Sequence, residues 1–198
     1  MKNIIFDLGA VMFDWNPKKI AASFTTDSHL QQRIQTELFF HKNWMDFDCG
    51  LVTEEQAITI ASKQLTLSVQ EAKRLFELVK TSLVLLPKTE DVLKQVKKNN
   101  LNAFCLSNIS PELFKHLASQ HDLFELFDGI VTSGVENTAK PDKRIFEILF
   151  ERYQLRPEEC LFIDDSSANT KTADEMGVTT VTFKGSAGCY RQIYRFIG

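Results

Sequence analysis

Cysteine is sparse and scattered in this chain. Cys49, Cys105, Cys160 and Cys189 are the only four in 198 residues, with no C-x-x-C pair and no histidine at ligand spacing. That argues against a disulfide framework and a clustered Cys/His metal site, and predicts free thiols in a reducing, cytoplasmic setting. The histidines (His29, His41, His116, His121) show no convergent pattern. No basic run is longer than Lys97-Lys98 and the formal net charge is -3, so no electrostatic footprint for nucleic acid is expected. No apolar run approaches the roughly 18 residues of a spanning helix, so no membrane partner is expected. The N-terminus reads as an apolar strand rather than a charged segment before a long apolar stretch, so no signal peptide is expected. Internal repeats and low-complexity segments are missing too.

What is present is the composition of a globular domain, long enough to bury a sizeable core. Five short apolar runs read as strands: Ile4 to Phe6, Ala103 to Leu106, Gly129 to Val131, Cys160 to Ile163, and Val178 to Phe183. They are unbroken rather than alternating, as in parallel strands buried on both faces. Helical spacing lies between them, at Thr89 to Lys98, Glu112 to Ser119, Lys143 to Tyr153 and Ala168 to Met176. Gly177 is placed as a C-cap, and Ser110-Pro111-Glu112 and Lys140-Pro141-Asp142 as helix starts with Pro in the first turn. The alternation predicts an α/β fold, a Rossmann-like doubly wound parallel sheet. The stretch from Trp15 to Leu86 breaks the rhythm. Ile20 to Phe24, Leu30 to Phe40, Glu54 to Leu65 and Val69 to Val84 carry helical spacing, the last two behind capping boxes at Thr53 and Ser68. We read 1–14 and 87–198 as the core domain and 15–86 as an inserted all-helical cap. A last amphipathic helix is expected within 186–198.

Four polar patches end apolar runs. They are Asp7-Leu8-Gly9, Ser107-Asn108, Ala139-Lys140-Pro141 and Asp164-Asp165-Ser166. In open α/β sheets, ligands bind outside the carboxyl ends of strands. Each patch alone is weak, because Ser-Asn and Lys-Pro pairs serve as helix caps and loop Asp pairs are commonly solvated. Together they fit one chemistry. Asp7, Asp164 and Asp165 supply hard oxygens suited to Mg²⁺. Lys140 adds positive charge against Asp7 and a phosphoryl group, and the Ser107 hydroxyl and Asn108 backbone N–H would donate to it. Asp7 would be the nucleophile of a phosphoryl transfer.

This ordered set resembles the haloacid dehalogenase-like hydrolases over essentially the whole chain. Val131-Thr132-Ser133 with Ala139-Lys140-Pro141-Asp142, then Phe162-Ile163-Asp164-Asp165-Ser166 with Asn169 and Ala173, carry the resemblance. It implies a Rossmann-like core, a small helical cap, an Asp nucleophile and Mg²⁺-dependent phosphatase activity through an aspartyl-phosphate. In that family the position two residues after the nucleophile offers a backbone carbonyl to the metal, here Gly9, and phosphatases carry an Asp there as acid and base. Gly9 has no side chain to protonate a leaving group, a loss of about 10²–10⁴-fold. The Asp-x-Gly form resembles a branch that includes sugar-phosphate phosphatases. Asp14 is expected to cap or pair locally rather than substitute.

The expected activity is therefore Mg²⁺-dependent hydrolysis of a small phosphorylated metabolite, with a sugar phosphate among the options. A 2-haloacid dehalogenase is the alternative compatible with Gly9, with Arg33 as a candidate cap cation, but Asp164-Asp165 argues against it. A weakly active scaffold of the same fold is the third reading. Trp15, Phe39, Phe40, Trp44 and Phe47 are candidates to line the substrate space, and Phe47-Asp48-Cys49-Gly50 is a candidate substrate loop.

Overall fold

The computed structural model describes residues 2–198. Strands β1 (Asn3–Phe6), β2 (Asn102–Ser107), β3 (Gly129–Thr132), β4 (Cys160–Asp164) and β5 (Thr179–Thr182) form one parallel sheet in the order β3-β2-β1-β4-β5. Helices α1 (Pro17–Phe24), α2 (Ser28–Arg33), α3 (Lys42–Asp48), α4 (Glu54–Leu65) and α5 (Val69–Ser82) lie between β1 and the next crossover. The remainder are α6 (Pro87–Lys98), α7 (Pro111–Gln120), the single turn α8 (Ser133–Glu136), α9 (Lys143–Tyr153), α10 (Ser167–Glu175) and α11 (Ala187–Ile197).

The unbroken apolar strands follow from burial on both faces. Ile4, Phe6, Ala103, Cys105, Leu161 and Ile163 point to one side, toward α6, α7, α11 and the inserted helices. Ile5, Phe104, Leu106, Cys160 and Phe162 point to the other, against Ile145, Phe146 and Leu149 of α9 and Ala173 of α10. The apolar cluster of the first face runs unbroken into the insert through Phe13, Trp44 and Phe76, so the inserted helices pack on the sheet domain. Two crossing segments stitch them together. Asp14 N–H donates to the Val84 carbonyl at 2.8 Å and Leu86 N–H to that of Met12 at 2.7 Å.

Both expected capping boxes are formed, Thr53 with Gln56 and Ser68 with Glu71. Three local expectations need correction. Leu30 to Phe40 is not one α-helix: α2 passes into a π-helical turn at Ile34–Phe39 that ends beside Phe40. Phe47 and Asp48 are not loop residues but close the short helix α3, and only Cys49 and Gly50 turn. Pro141 lies before the N-cap of α9, which is Asp142, and not in the helix's first turn; the Lys140-Pro141 bond is cis. All four cysteines are free. Among the described residues, no helix is long and apolar enough to cross a membrane.

Candidate active site

The chain runs β1-β2-β3 outward on one side, then returns to place β4 on the other side of β1. The carboxyl ends of β1 and β4 therefore flank the switch point of the sheet, where doubly wound folds open a crevice. Asp7 leaves β1 there, its N–H donating to the Ile163 carbonyl at 3.0 Å. Asp164 ends β4 and is fully buried. Lys140 arrives from the loop before α9, also fully buried, and its ammonium bridges the two. Nζ lies 2.9 Å from Asp7 Oδ1 and 2.6 Å from Asp164 Oδ2, and donates to the Leu106 carbonyl at 2.8 Å. Asn108 fixes that loop with its side chain, accepting from Lys140 N–H and donating to Lys140 C=O, each at 2.8 Å.

The two adjacent aspartates divide their work. Asp164 is committed inward, accepting from Asn169 Nδ2 at 3.0 and 3.1 Å and from Ser166 N–H at 2.8 Å. Asp165 lines the open cavity with Asp7. Carboxylate oxygens of Asp7, Asp164 and Asp165 all lie within 4.8 Å of one another. One ammonium does not balance three carboxylates. Burial first, opposed by Lys140 and reinforced by Asp164, pushes Asp7 up to about 7. Burial and the Asp164 charge likewise raise Asp165. Burial pulls the Lys140 ammonium down, but Asp7 and Asp164 outweigh it and raise it overall. A compact cluster of hard oxygens with surplus negative charge fits a small divalent cation.

Over this floor lies a cavity of about 450 Å³. Ser107, Asn108, Lys140 and Gly9 line its base. Its walls are mostly apolar, with Asp48, Ser166 and Asn169 also lining it. Trp15, Phe39, Phe40, Trp44, Met45 and Leu83 come from the inserted segment. Ile109, Leu113 and Leu117 come from the β2–α7 side. The aromatics brace one another, with Trp15 stacked 5.8 Å from Trp44 and Phe39 edge-on to Trp44 at 4.9 Å. Phe40 stands 72% exposed at the mouth.

Asp7, Gly9, Ser107, Asn108, Lys140 and Asp165 thus meet at one cavity, with Asp164 directly behind it. Of the aromatic candidates, Trp15, Phe39, Phe40 and Trp44 line it, while Phe47 is fully buried among Trp44 and Phe76. Asp14 pairs locally with Lys19 at 2.8 Å. Arg33 lies elsewhere, held by Glu37 and by the Gln64 and Leu65 carbonyls, and among the described residues no arginine lines the cavity. Met45, Leu83, Ile109, Leu113 and Leu117 also line it, and in sequence their spacing is that of ordinary core residues.

Comparison with known proteins agrees with this architecture. The family model of haloacid dehalogenase-like hydrolases matches residues 2–177. Drimenol cyclase drtB of Aspergillus calidoustus is 28% identical over all of this chain, which spans only 37% of that protein. Sesquiterpene phosphatase astK of Aspergillus oryzae is 23% identical, covering 100% of this chain and 97% of its own length. The crystal structure of the enzyme bt-2542 from Bacteroides thetaiotaomicron superposes with a TM-score of 0.80 at 23% identity, covering 97% of this chain and 98% of that one. The same protein has been crystallised with magnesium and inorganic phosphate.

Proposed function

The chain belongs to the haloacid dehalogenase-like hydrolase family, and from that premise we propose that it is a Mg²⁺-dependent phosphatase using Asp7 as nucleophile. The observation that carries this reading is the Lys140 ammonium held between Asp7 and Asp164 at the floor of the cavity, with Asp165 alongside. Asp7, Asp165 and the Gly9 carbonyl would hold the cation, with Asp164 behind them. Bound there, Mg²⁺ would supply the charge that lets an anionic carboxylate approach a phosphoryl group. Lys140 neutralises the Asp7 carboxylate and a phosphoryl oxygen. The Ser107 hydroxyl and the Asn108 backbone N–H donate to the remaining oxygens, as the Asn108 side chain is occupied with Lys140. Asp7 takes the phosphoryl group and water then removes it. The segment 15–86 acts as a lid that excludes water from this exchange. The free thiols are consistent with a reducing, cytoplasmic setting.

We propose further that the substrate is a phosphate ester of an apolar alcohol. Among cap residues lining the cavity, Asp48 is the single charged one, and the rest are aromatic or aliphatic. Against the aromatic and aliphatic walls a sugar or polyol would bury hydroxyls without partners, each costing about 1–3 kcal/mol. An alkyl or prenyl group would instead fill the walls. The end-to-end relative named a sesquiterpene phosphatase supports the same direction.

Phosphate release from p-nitrophenyl phosphate, sugar phosphates and a series of alkyl phosphates, with Mg²⁺ or with chelator, tests both statements. Mg²⁺-dependent release is expected, with kcat/KM rising about fourfold per added methylene until the cavity is full. Release indifferent to chelator would overturn the phosphatase reading, and halide release from 2-chloropropionate would replace it with dehalogenation. Equal rates on ribitol phosphate and decyl phosphate would overturn the apolar assignment alone.

A further inference from the structure

Phosphoryl transfer to Asp7 leaves an alkoxide that needs a proton, and Gly9 cannot give one. Space is not what keeps residue 9 small. The nearest atoms to a Cβ there are those of Trp15, at 3.5 to 3.8 Å, which is ordinary contact. A different carboxyl group lies in the same cavity. Asp48, the last residue of α3, lines it together with Asp7 and Lys140.

Asp48 belongs to the insert by sequence but is fastened to the sheet domain. Its carbonyl accepts from Ser133 Oγ at 2.5 Å, and the Cys49 carbonyl accepts from Asn137 Nδ2 at 2.9 Å. Gly50, at φ +67°, passes so close to the Gly134 carbonyl that a Cβ would sit 2.4 Å from its oxygen. Ser133 Oγ also accepts from the Ile109 N–H at 2.9 Å, tying the same point to the loop that carries Ser107 and Asn108. Asp48 is thus tied to the sheet domain through the backbone at the end of α3, as well as to the cap through its helix. Its carboxyl has no cationic partner among the described residues, and Lys42 on the same helix is taken by Asp46 at 2.6 Å.

On the phosphatase reading given above, we propose that Asp48 is the general acid and base of the reaction, supplied from the cap in place of the side chain that Gly9 lacks. Burial chiefly, opposed by the Ser110 backbone and the Trp44 side chain and reinforced by the Asp7 charge, raises this carboxyl well above the usual range. The cycle starts with the Asp48 carboxyl protonated. As an Asp7 carboxylate oxygen bonds to phosphorus, the bond from phosphorus to the leaving oxygen breaks. The electron pair goes to that oxygen, which takes the proton from Asp48. In the second half a water oxygen bonds to phosphorus, gives its proton to the Asp48 carboxylate, and the bond to Asp7 breaks. Acid and nucleophile are both restored, and one alcohol and one phosphate leave per water consumed.

Leaving-group dependence of Asp48→Asn tests this. The amide is isosteric with a protonated carboxyl, so the fold and its thermal midpoint are expected to stay. On decyl phosphate, whose alkoxide needs the proton, kcat should fall about 10²–10⁴-fold. On p-nitrophenyl phosphate, whose phenolate leaves unaided, the first step needs no acid and the loss should be under about tenfold when that step limits the rate. Adding Gly9→Asp to Asp48→Asn should restore turnover of the alkyl ester, because it returns an acid to the position two residues past the nucleophile. Equal losses on both esters would overturn the assignment in favour of a purely structural role, and so would no loss on either. A wild-type protein that hydrolyses neither ester would instead sink the phosphatase reading on which the assignment rests.

Discussion

Replacing Lys140 by methionine is the sharpest perturbation of the charge cluster, because it keeps an unbranched apolar stem of four heavy atoms and removes the ammonium. Lys140 is fully buried and pairs at 2.9 Å with Asp7 and at 2.6 Å with Asp164, which are themselves buried. Removing one partner of a buried ion pair leaves an uncompensated charge and costs about 3–5 kcal/mol. Protonation limits the damage. Asp7 already holds its proton up to about 7, with Lys140 as the main influence lowering it, so without Lys140 it stays neutral to higher pH. The expected loss in chelator at neutral pH therefore sits near the lower end, about 3 kcal/mol. A divalent cation should return much of it, since ligand at a hundredfold over Kd stabilises by about 2.7 kcal/mol, and a more negative site binds Mg²⁺ more tightly. Urea unfolding of wild type and Lys140→Met, in chelator and in saturating Mg²⁺, measures all four stabilities. A loss under about 1 kcal/mol in chelator, or a smaller Mg²⁺ increment in the variant than in wild type, would refute the reasoning.

Other consequences follow from the same contacts. In metal-free protein the Asp7 carboxyl is raised from 3.8 to about 7, so its contribution to stability is full below the lower value and lost as pH rises through the upper one. Asp165 and Asp48 are shifted the same way; unfolding in chelator should therefore become easier between about pH 5 and 8, and a rising stability over that range would contradict it. Ser133→Ala removes the hydroxyl shared by the Asp48 carbonyl and the Ile109 N–H, and should cost about 1–3 kcal/mol in thermal or urea unfolding. Gly50→Ala meets both a left-handed backbone and the Gly134 carbonyl; a destabilisation above about 1 kcal/mol is expected, together with weaker turnover of alkyl phosphates, and a neutral effect on both would show that α3 is not docked there.

Much of this fold was legible because parallel strands advertise themselves. Ile4-Ile5-Phe6 and Leu161-Phe162-Ile163 are apolar on both faces, and the first polar residue after each is forced to the sheet edge, where Asp7 and Asp164 meet. Adjacent strand ends are neighbours in space, so residues far apart in sequence could be assembled into a site without knowing any loop. What stayed hidden depends on tertiary contacts. Helix α3 is seven residues long, too short for periodicity to register, and is held by Trp44 and Phe47 packing on Phe76. Asp48 acquires its setting from Ser133 and its neighbour Cys49 from Asn137, 85 and 88 residues away along the chain. The apolar walls were indistinct because Leu83, Ile109 and Leu113 look in sequence like any core residue, and only the open space beside them sets them apart. The division between Asp164, turned to Lys140 and Asn169, and Asp165, turned to the cavity, is likewise a matter of side-chain direction.

The most direct measurement is Mg²⁺-saturated phosphate release by Asp7→Asn beside wild type, on decyl phosphate and p-nitrophenyl phosphate. With the nucleophile gone and the isosteric amide in its place, release should drop at least about a thousandfold on both esters while the variant unfolds at the temperature of wild type or above. A folded Asp7→Asn protein that still turns over either ester at a tenth of the wild-type rate or more would contradict the account.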